Sequence, residues 1–347
     1  AKVGDNYSDV ARFIGLFPLT TVPVGIGWEN WKKENLVTFE KPLSELPVLG
    51  RVIEFAPSKA KPLLNARDVG AIIARSRDKK LGIPLPNAKD QDRLFQHFAP
   101  IWQVDVTGDY DEIGYPTWAD QGKHVVVDHT KPTVFTRISH VIVDDTVLLQ
   151  LNYSVWFKER PLSGPLDALG GNVDGVIWRV TLGKDGRPLL YDSIHACGCY
   201  HLLFPSKLLR ERQNAFSTTA LKEVPGILDN APTPAGNQRV VLRLATKSHY
   251  LLGVSVSGRR LGKGAHRTVQ FVDDNRLRSL ALSRSERRSL YRDDGLVSGT
   301  ERLERVVLWP TGVVSPGAMR QWGHHATAFV DRRHFDDPDL IEKIFGN

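Results

Sequence analysis

Residues 176–201 are the stretch that most constrains how this chain folds. In residues 176–182 apolar side chains at even positions alternate with the intervening ones, the two-residue period of a β-strand. Lys-Asp-Gly at residues 184–186 favours a tight turn, because aspartate and glycine tolerate positive φ. Pro188 then begins a returning strand, where its missing N–H costs least. The stretch predicts a β-hairpin in which the numbers of paired residues sum to about 371.

The returning strand concentrates side chains that could carry chemistry. His195, Cys197, Cys199 and His201 occupy odd positions, so a straight strand would direct all four to one face. The two cysteines could then reach one soft metal ion, zinc or copper, whereas the histidines would lie about 20 Å apart unless the chain bends at Gly198. We expect the thiols to remain reduced, since neighbours on a strand are too far apart for a disulfide. Small core cysteines are the alternative reading, and a catalytic thiolate is a third.

Two carboxylates are expected beside His195. In the predicted register Asp174 lies opposite Cys197, with cross-strand Cβ atoms about 5 Å apart. Glu159 ends the preceding strand, and consecutive elements usually lie side by side. The candidate catalytic residues are His195, Asp174 and Glu159, and the candidate metal ligands are His195, Cys197, Cys199, His201 and Asp174. The alternative is a buried Asp174–His195 hydrogen bond that only ties the hairpin.

The remainder of the chain predicts mainly β structure with brief helices. Strands are expected at residues 101–106, 124–128, 134–143 and 147–157, and helices at 65–79, 90–98, 206–213 and 339–345. We expect a mainly β (α+β) fold, an antiparallel β-sandwich with a few short peripheral helices. Residues 1–97 are expected to be an irregular N-terminal wrap with two short helices, and residues 98–347 the sandwich domain, packed together as one unit.

Composition narrows the class of partner. Hydrophobic residues make up 41% and charged residues 24% of the chain, and no run approaches the 18 apolar residues of a transmembrane helix. The net charge of +7 permits an anionic partner. The basic region 258–292 lacks interleaved aromatics, so we expect a solvated amphipathic helix there and no nucleic-acid site. Residues 13–28 are apolar but broken by proline, and we expect them to wrap the core or dock against a partner.

The N-terminus and the cysteine content bear on the compartment. Two cysteines rule out a disulfide framework. The chain begins Ala-Lys-Val-Gly-Asp, as a mature protein does after cleavage at a small residue, although a truncation would look the same. We therefore expect a periplasmic or secreted protein. Neither the ligand nor the oligomeric state follows from the sequence.

The order of features in residues 98–201 resembles the necrosis-inducing proteins and the related vacuolar-sorting-type proteins. The matching motifs are His97-Phe98-Ala99-Pro100, Trp156-Phe157-Lys158-Glu159, Gly171-Asn172-Val173-Asp174 and Ser193-Ile194-His195. This resemblance implies an antiparallel β-sandwich that holds a divalent cation through acidic and histidine ligands. Asn172 stands where the family has a histidine. The nearby thiolates and imidazoles would favour zinc or copper over calcium.

These observations give three functional hypotheses. The first is an exported metal-binding β-sandwich whose hairpin site could make it a metal-dependent enzyme, with His324 or His325 as distant candidates to complete the site. The second is a non-enzymatic β-sandwich that binds a surface, a lipid or a partner. The third is a cysteine-thiolate enzyme. The sequence contains no G-x-S-x-G, H-E-x-x-H, phosphate-loop or G-x-G-x-x-G motif in a supporting context.

Overall fold

The computed structural model describes residues 5–57, 63–215, 223–229, 231–257 and 265–346. The strands in these ranges are β1 (Arg51–Pro57), β2 (Ile101–Val106), β3 (Tyr115–Ala119), β4 (His124–Asp128), β5 (Thr133–Val143), β6 (Thr146–Arg160), β7 (Gly171–Leu182), β8 (Pro188–His195), β9 (Leu202–Pro205), β10 (Gly226–Ile227), β11 (Val240–Leu244), β12 (Leu251–Val256), β13 (Ala265–Asp273), β14 (Leu280–Ala281) and β15 (Arg287–Arg288). The helices are α1 (Asp9–Ile14), α2 (Phe17–Asn35), α3 (Ala66–Arg75), α4 (Ala88–Phe98), α5 (Lys207–Ala215), α6 (Glu304–Leu308) and α7 (Leu340–Phe345). Within the described ranges, none of these helices has the length and apolarity needed to cross a membrane.

Eleven of the strands form one mixed sheet in the order β10-β9-β8-β7-β6-β5-β13-β1-β2-β11-β12, curled into a half-barrel. Strands β5 to β9 form a meander in which each strand pairs antiparallel with the next. Strand β13 pairs in parallel with both β5 and β1, and so joins the two halves of the sheet. Strands β2 and β11 are also parallel, as are β9 and β10.

The expected antiparallel β-sandwich is wrong, because the fold is a mixed α/β structure around a single large sheet. The physical reason is visible in β7, where every residue from Val173 to Leu182 is buried. A strand buried on both faces needs cover on both sides, whereas a sandwich strand buries one face. Helices α3 and α4 pack into the concave face. Helix α7 and Phe335 cover the convex face.

The register of the predicted hairpin is confirmed. Val176 pairs with His195, and Ile177 with Ile194. Gly186 adopts φ +81° in the turn, and a Cβ atom there would lie 2.3 Å from the Ala66 carbonyl oxygen. Glycine therefore satisfies both the turn conformation and the close approach of α3.

Residues 1–97 contribute more than a wrap. Helices α3 and α4 agree with the two predicted helices, but β1 lies in the middle of the sheet and α2 runs for 19 residues. Prolines obscured α2: Pro18 lies in the first turn, where proline is tolerated, and Pro23 lies inside the helix. The amphipathic helix predicted within residues 258–292 is wrong for the described part of that region. There β13 is followed by a single 3-10 helix at Asp274–Arg278 and by the short strands β14 and β15. Residues 258–264 lie outside the described ranges.

Candidate functional site

The hairpin brings Asp174 and His195 together at one end of the concave face. Asp174 lies near the start of β7, and His195 is the last residue of β8; Asp174 is two residues before Val176, the direct partner of His195. His195 Nδ1 is 3.6 Å from Asp174 Oδ1, and both side chains are buried. The predicted approach of these two residues is therefore present, at ion-pair distance.

Two further residues extend this contact into a buried chain of acids and imidazoles. His249 Nδ1 lies 2.8 Å from Asp174 Oδ2, and its Nε2 lies 3.4 Å from Asp111 Oδ1. The 3.4 Å contact is an ion pair whose geometry is too poor for a hydrogen bond. We call Asp111, His249, Asp174 and His195 the Asp–His chain. It links the β11–β12 turn to the β7–β8 hairpin across the concave face.

Supporting contacts hold each carboxylate in place. Asp111 accepts hydrogen bonds from the backbone N–H groups of Thr107 and Lys247. Asp174 Oδ1 accepts from the Gly175 N–H at 2.9 Å and lies 3.5 Å from Nη2 of Arg302. The His249 ring stacks on Phe157, the direct partner of Asp174 in β6, with ring centroids 3.9 Å apart. The Asp–His chain is therefore fixed by backbone donors and by ring stacking.

Backbone strain is concentrated around the Asp–His chain. Ten non-glycine residues in the described ranges have positive φ, and four of them lie here: Val173, Tyr200, Lys247 and His249. Left-handed conformations cost about 1–3 kcal/mol each for such residues and cluster at functional sites. Val173 is β-branched, for which this conformation is rare. This clustering favours a functional role over a purely structural one.

Charges alternate along the chain. Burial would lower the pKa of His249, but the carboxylates of Asp111 and Asp174 outweigh burial and raise it. Burial opposes ionisation of Asp174, yet the neighbouring histidines and Arg302 hold the pKa of its carboxyl well below the usual range. Burial lowers the pKa of His195, against the opposing effect of Asp174. The arrangement favours a charged His249 between two carboxylates and a neutral His195 at the end.

His195 packs against two tyrosines whose hydroxyl groups are hydrogen-bonded to each other. Its Nε2 is buried and has no hydrogen-bond partner among the residues that the structure describes. The rings of Tyr200 and Tyr250 flank the imidazole, with centroids 5.1 and 5.6 Å away. The hydroxyl of Tyr250 donates to that of Tyr200 at 2.7 Å and accepts from Arg160 Nη2 at 3.3 Å. The proton of Tyr200 is therefore left to donate to another group.

Helix α2 covers these two tyrosines. The Trp31 ring contacts Tyr200 and Tyr250 with centroids 4.8 and 5.7 Å apart, and Trp28 stacks on Trp31. Both tyrosines are half-buried, whereas His195 is only 5% exposed.

The other predicted residues on and before the hairpin do not join the Asp–His chain. Glu159 is half-buried and has no hydrogen bond or ion pair to Asp174 or His195 in the described structure. Cys197 packs in an apolar cluster with Met319, and Cys199 is half-buried. Both cysteines are free thiols, as expected, but they lie in the turn after β8 and not on a strand.

The predicted histidine pair is separated by the turn at Gly198. Gly198 has φ +96°, and the chain reverses so that His201 reaches the convex face. There His201 Nε2 lies 3.2 Å from Asp192 Oδ2, next to Arg179. His325 is also buried on that side against Phe335, and burial lowers its pKa to about 3. Neither His201 nor His325 contacts His195.

The residues around Asp174 do not fit a bound divalent cation. No group of three or more histidine, cysteine, aspartate or glutamate side chains in the described ranges is arranged to hold a metal ion. The oxygens of Asp174 already face the His249 ring and the Gly175 N–H. Arg302 adds positive charge beside the same carboxylate. A cation would therefore have to displace existing donors and sit against a guanidinium group.

A cavity of about 1000 Å³ lies elsewhere in the described part of the chain. Its lining includes His97, Tyr191 and Arg239 but neither His195 nor Asp174. Arg239 there donates to the carbonyl oxygens of Gln96 and Ala99, so its charge is already satisfied by backbone. The chemistry therefore favours the Asp–His chain as the functional site.

Sequence reasoning missed half of the site. Asp111 and His249 lie in turns after β2 and β11, and Arg160 directly follows the predicted Glu159. The only signal is that charged or aromatic residues stand at the ends of strands.

Three comparisons, with protein families, with curated proteins and with solved structures, gave no match. The resemblance to the necrosis-inducing proteins therefore stays a prediction.

Proposed function

We propose that the chain is an acid–base enzyme in which His195 removes a proton from an anionic substrate. The observation that carries this proposal is the buried Asp–His chain ending in an imidazole nitrogen without a protein partner. A neutral His195 has a lone pair on Nε2, and the carboxylate of Asp174 stabilises the imidazolium that forms when a proton arrives. Asp174 acts as a positioning residue.

The groups around Nε2 indicate the class of substrate. Arg160 supplies a positive charge, and the Tyr200 hydroxyl can donate to an oxygen that gains negative charge. No serine or cysteine side chain in the described ranges hydrogen-bonds His195, which disfavours a covalent intermediate. This set of groups, a base, an O–H donor and a cation, favours a reaction that begins with removal of a proton next to a carbonyl. Isomerisation and elimination of an oxo acid are reactions of this kind.

Deuterium exchange tests this proposal directly. A panel of small oxo carboxylic acids is incubated with the protein in D₂O, and loss of the proton next to the carbonyl is followed by NMR. We expect acceleration with at least one compound and a loss of about 10²–10⁴-fold in His195→Gln. His124→Gln, at an exposed histidine, is the matched control. No acceleration with any compound, or full activity in His195→Gln, would contradict the proposal.

The pH dependence gives a second readout. Because burial lowers the pKa of His195, the base stays deprotonated below the range of an ordinary histidine. We expect the exchange rate to persist as the pH falls below about 6.5 and then to decline. If the exchange rate already declines while the pH is still above neutral, the base is another group.

Metal binding and export remain predictions from the sequence. Zinc and copper content of protein purified without an affinity tag, compared with His195→Ala and Asp174→Asn, tests the metal. Metal that is stoichiometric in the parent and lost in both variants would support the metal hypothesis. Equal trace content in all three would remove it.

A further inference from the structure

Helices α1 and α2 present apolar side chains to solvent. No residue of α1 is buried, and Thr21 is the only buried residue of α2. Phe13 is 84% exposed and Leu19 is 70% exposed. Residues 13–28 contain no charged side chain. Exposed apolar surface of this extent on a folded chain marks an interaction site.

Helix α6 continues the same surface. Helices α1, α2 and α6 all pack against residues Trp309–Thr311. Gly15 lies so close to Pro310 that a Cβ atom would be 2.5 Å from the proline Cβ. We call the exposed apolar side chains of these elements the apolar face: Val10, Phe13, Ile14, Leu16, Leu19, Val22, Ile26, Leu303, Val306, Val307 and Trp309.

The apolar face is anchored firmly to the body of the protein. Arg12 Nε donates to the Thr311 carbonyl at 2.7 Å, and Arg12 Nη2 donates to the Asp331 carbonyl at 2.8 Å. Its guanidinium also lies over the Phe17 ring. The one cation within α1 is therefore satisfied by protein contacts, and it leaves the apolar side chains exposed around it.

The order of residues along α2 distinguishes among possible occupants. A helix that docks into the groove of a protein partner has an apolar stripe along one side, and α2 has no such stripe. Its apolar residues instead fill the N-terminal part, residues 17–26, and the two tryptophans and all the charged residues follow: Glu29, Lys32, Lys33 and Glu34. Lys32 pairs with Glu29 and donates to the Val224 carbonyl. Ten helical residues span about 15 Å, half of the bilayer's hydrocarbon core of about 30 Å. Apolar residues first, then tryptophans and charged residues, follow the order of depth within one leaflet.

We propose that the apolar face inserts into one leaflet of an anionic lipid bilayer. The net charge of the whole chain, +7, favours an anionic surface over a neutral one. On the helices that carry the face, exposed Lys33 and Arg305 are accompanied by exposed Asp9 and Glu29. The proposal is independent of the acid–base chemistry, since it concerns only the outer surface of α1, α2 and α6.

Vesicle flotation with the full chain tests this proposal. The probe is vesicles of phosphatidylcholine and phosphatidylglycerol. We expect the parent to float with the vesicles, and the double variant Phe13→Ser/Leu19→Ser to partition at least about tenfold more weakly. The matched control is Leu49→Ser/Leu81→Ser, at leucines that are 77% and 71% exposed on other elements. Because all four side chains are exposed, both double variants should keep the circular dichroism spectrum of the parent.

Three outcomes would overturn the proposal. One is a parent that does not float with the vesicles. Another is equal loss of flotation in the control double variant. The third is a parent that dimerises in light scattering without binding vesicles, while Phe13→Ser/Leu19→Ser is monomeric, which would assign the apolar face to a second copy of the chain.

Discussion

Protonation of His201 should destabilise the fold in mild acid. His201 is 1% exposed, lies 3.2 Å from the Asp192 carboxylate and contacts the edge of Phe335. Burial, opposed by Asp192, lowers the pKa of His201 to about 4. In the unfolded chain its pKa returns to about 6.5. Between these two pKa values the unfolded state therefore binds a proton that the folded state does not bind.

The sign and size of the effect follow from these two pKa values. A lowered histidine pKa leaves stability intact above about pH 6.5 and removes it as the pH falls toward about 4. Between about pH 7.5 and pH 5 the free energy of unfolding should fall by about 2 kcal/mol from His201 alone. His195 and His325, whose pKa values burial also lowers, add to the loss in the parent, whereas His249, whose pKa is raised, opposes it. The effect of His201 must therefore be isolated by difference.

The contribution of His201 is isolated by urea unfolding of the parent and of His201→Gln at both pH values. Glutamine can still donate an N–H to Asp192 but does not titrate. We expect the variant to lose about 2 kcal/mol less than the parent between the two pH values. His124→Gln, at a histidine whose side chain is 68% exposed, should behave as the parent does. An equal loss in the parent and in His201→Gln would refute the reasoning.

Two further predictions concern the turn after β8. Gly198→Ala should lower the free energy of unfolding by about 1–3 kcal/mol more than Gly299→Ala, measured by urea unfolding. Both glycines have positive φ, but a Cβ atom at Gly198 would lie 2.3 Å from the Ala326 carbonyl oxygen, whereas Gly299 has open space; equal losses would contradict this account. The hydrogen bond with Cys197, together with burial, raises the pKa of the Cys199 thiol. The same hydrogen bond lowers the pKa of Cys197, but that thiol is buried, so iodoacetamide should label both cysteines only after unfolding. Rapid double labelling of the folded protein, seen by intact mass, would show otherwise.

Local chemistry allowed part of this structure to be predicted. The hairpin register depends on strand alternation and on one turn, both written in about 20 contiguous residues, and Val176 does pair with His195. The approach of Asp174 to His195 follows from that register. The turn at Asp144 and Asp145 was predictable for the same reason, and both residues have positive φ.

The rest depends on contacts between distant parts of the sequence. His249 reaches Asp174 across 75 positions, and nothing near His249 in the sequence indicates that partner. The alternation of side chains along a strand does not indicate which strands become neighbours. The parallel pairing of β1 with β13 therefore could not be predicted. Cover on both faces of β7 depends on α3, α4 and the C-terminal segment together, which is why a sandwich was expected.

The central position of β13 has a consequence for how the chain reaches its folded state. The meander of β5 to β9 needs only near neighbours in sequence and can form early. Strand β1 must wait for a partner more than 200 residues later, since Ile53 pairs with Ala265. During synthesis, the unpaired edges of β5 and β1 therefore stay open until β13 emerges. Such edges are templates for intermolecular pairing, so this is the interval in which a nascent chain would depend most on chaperones.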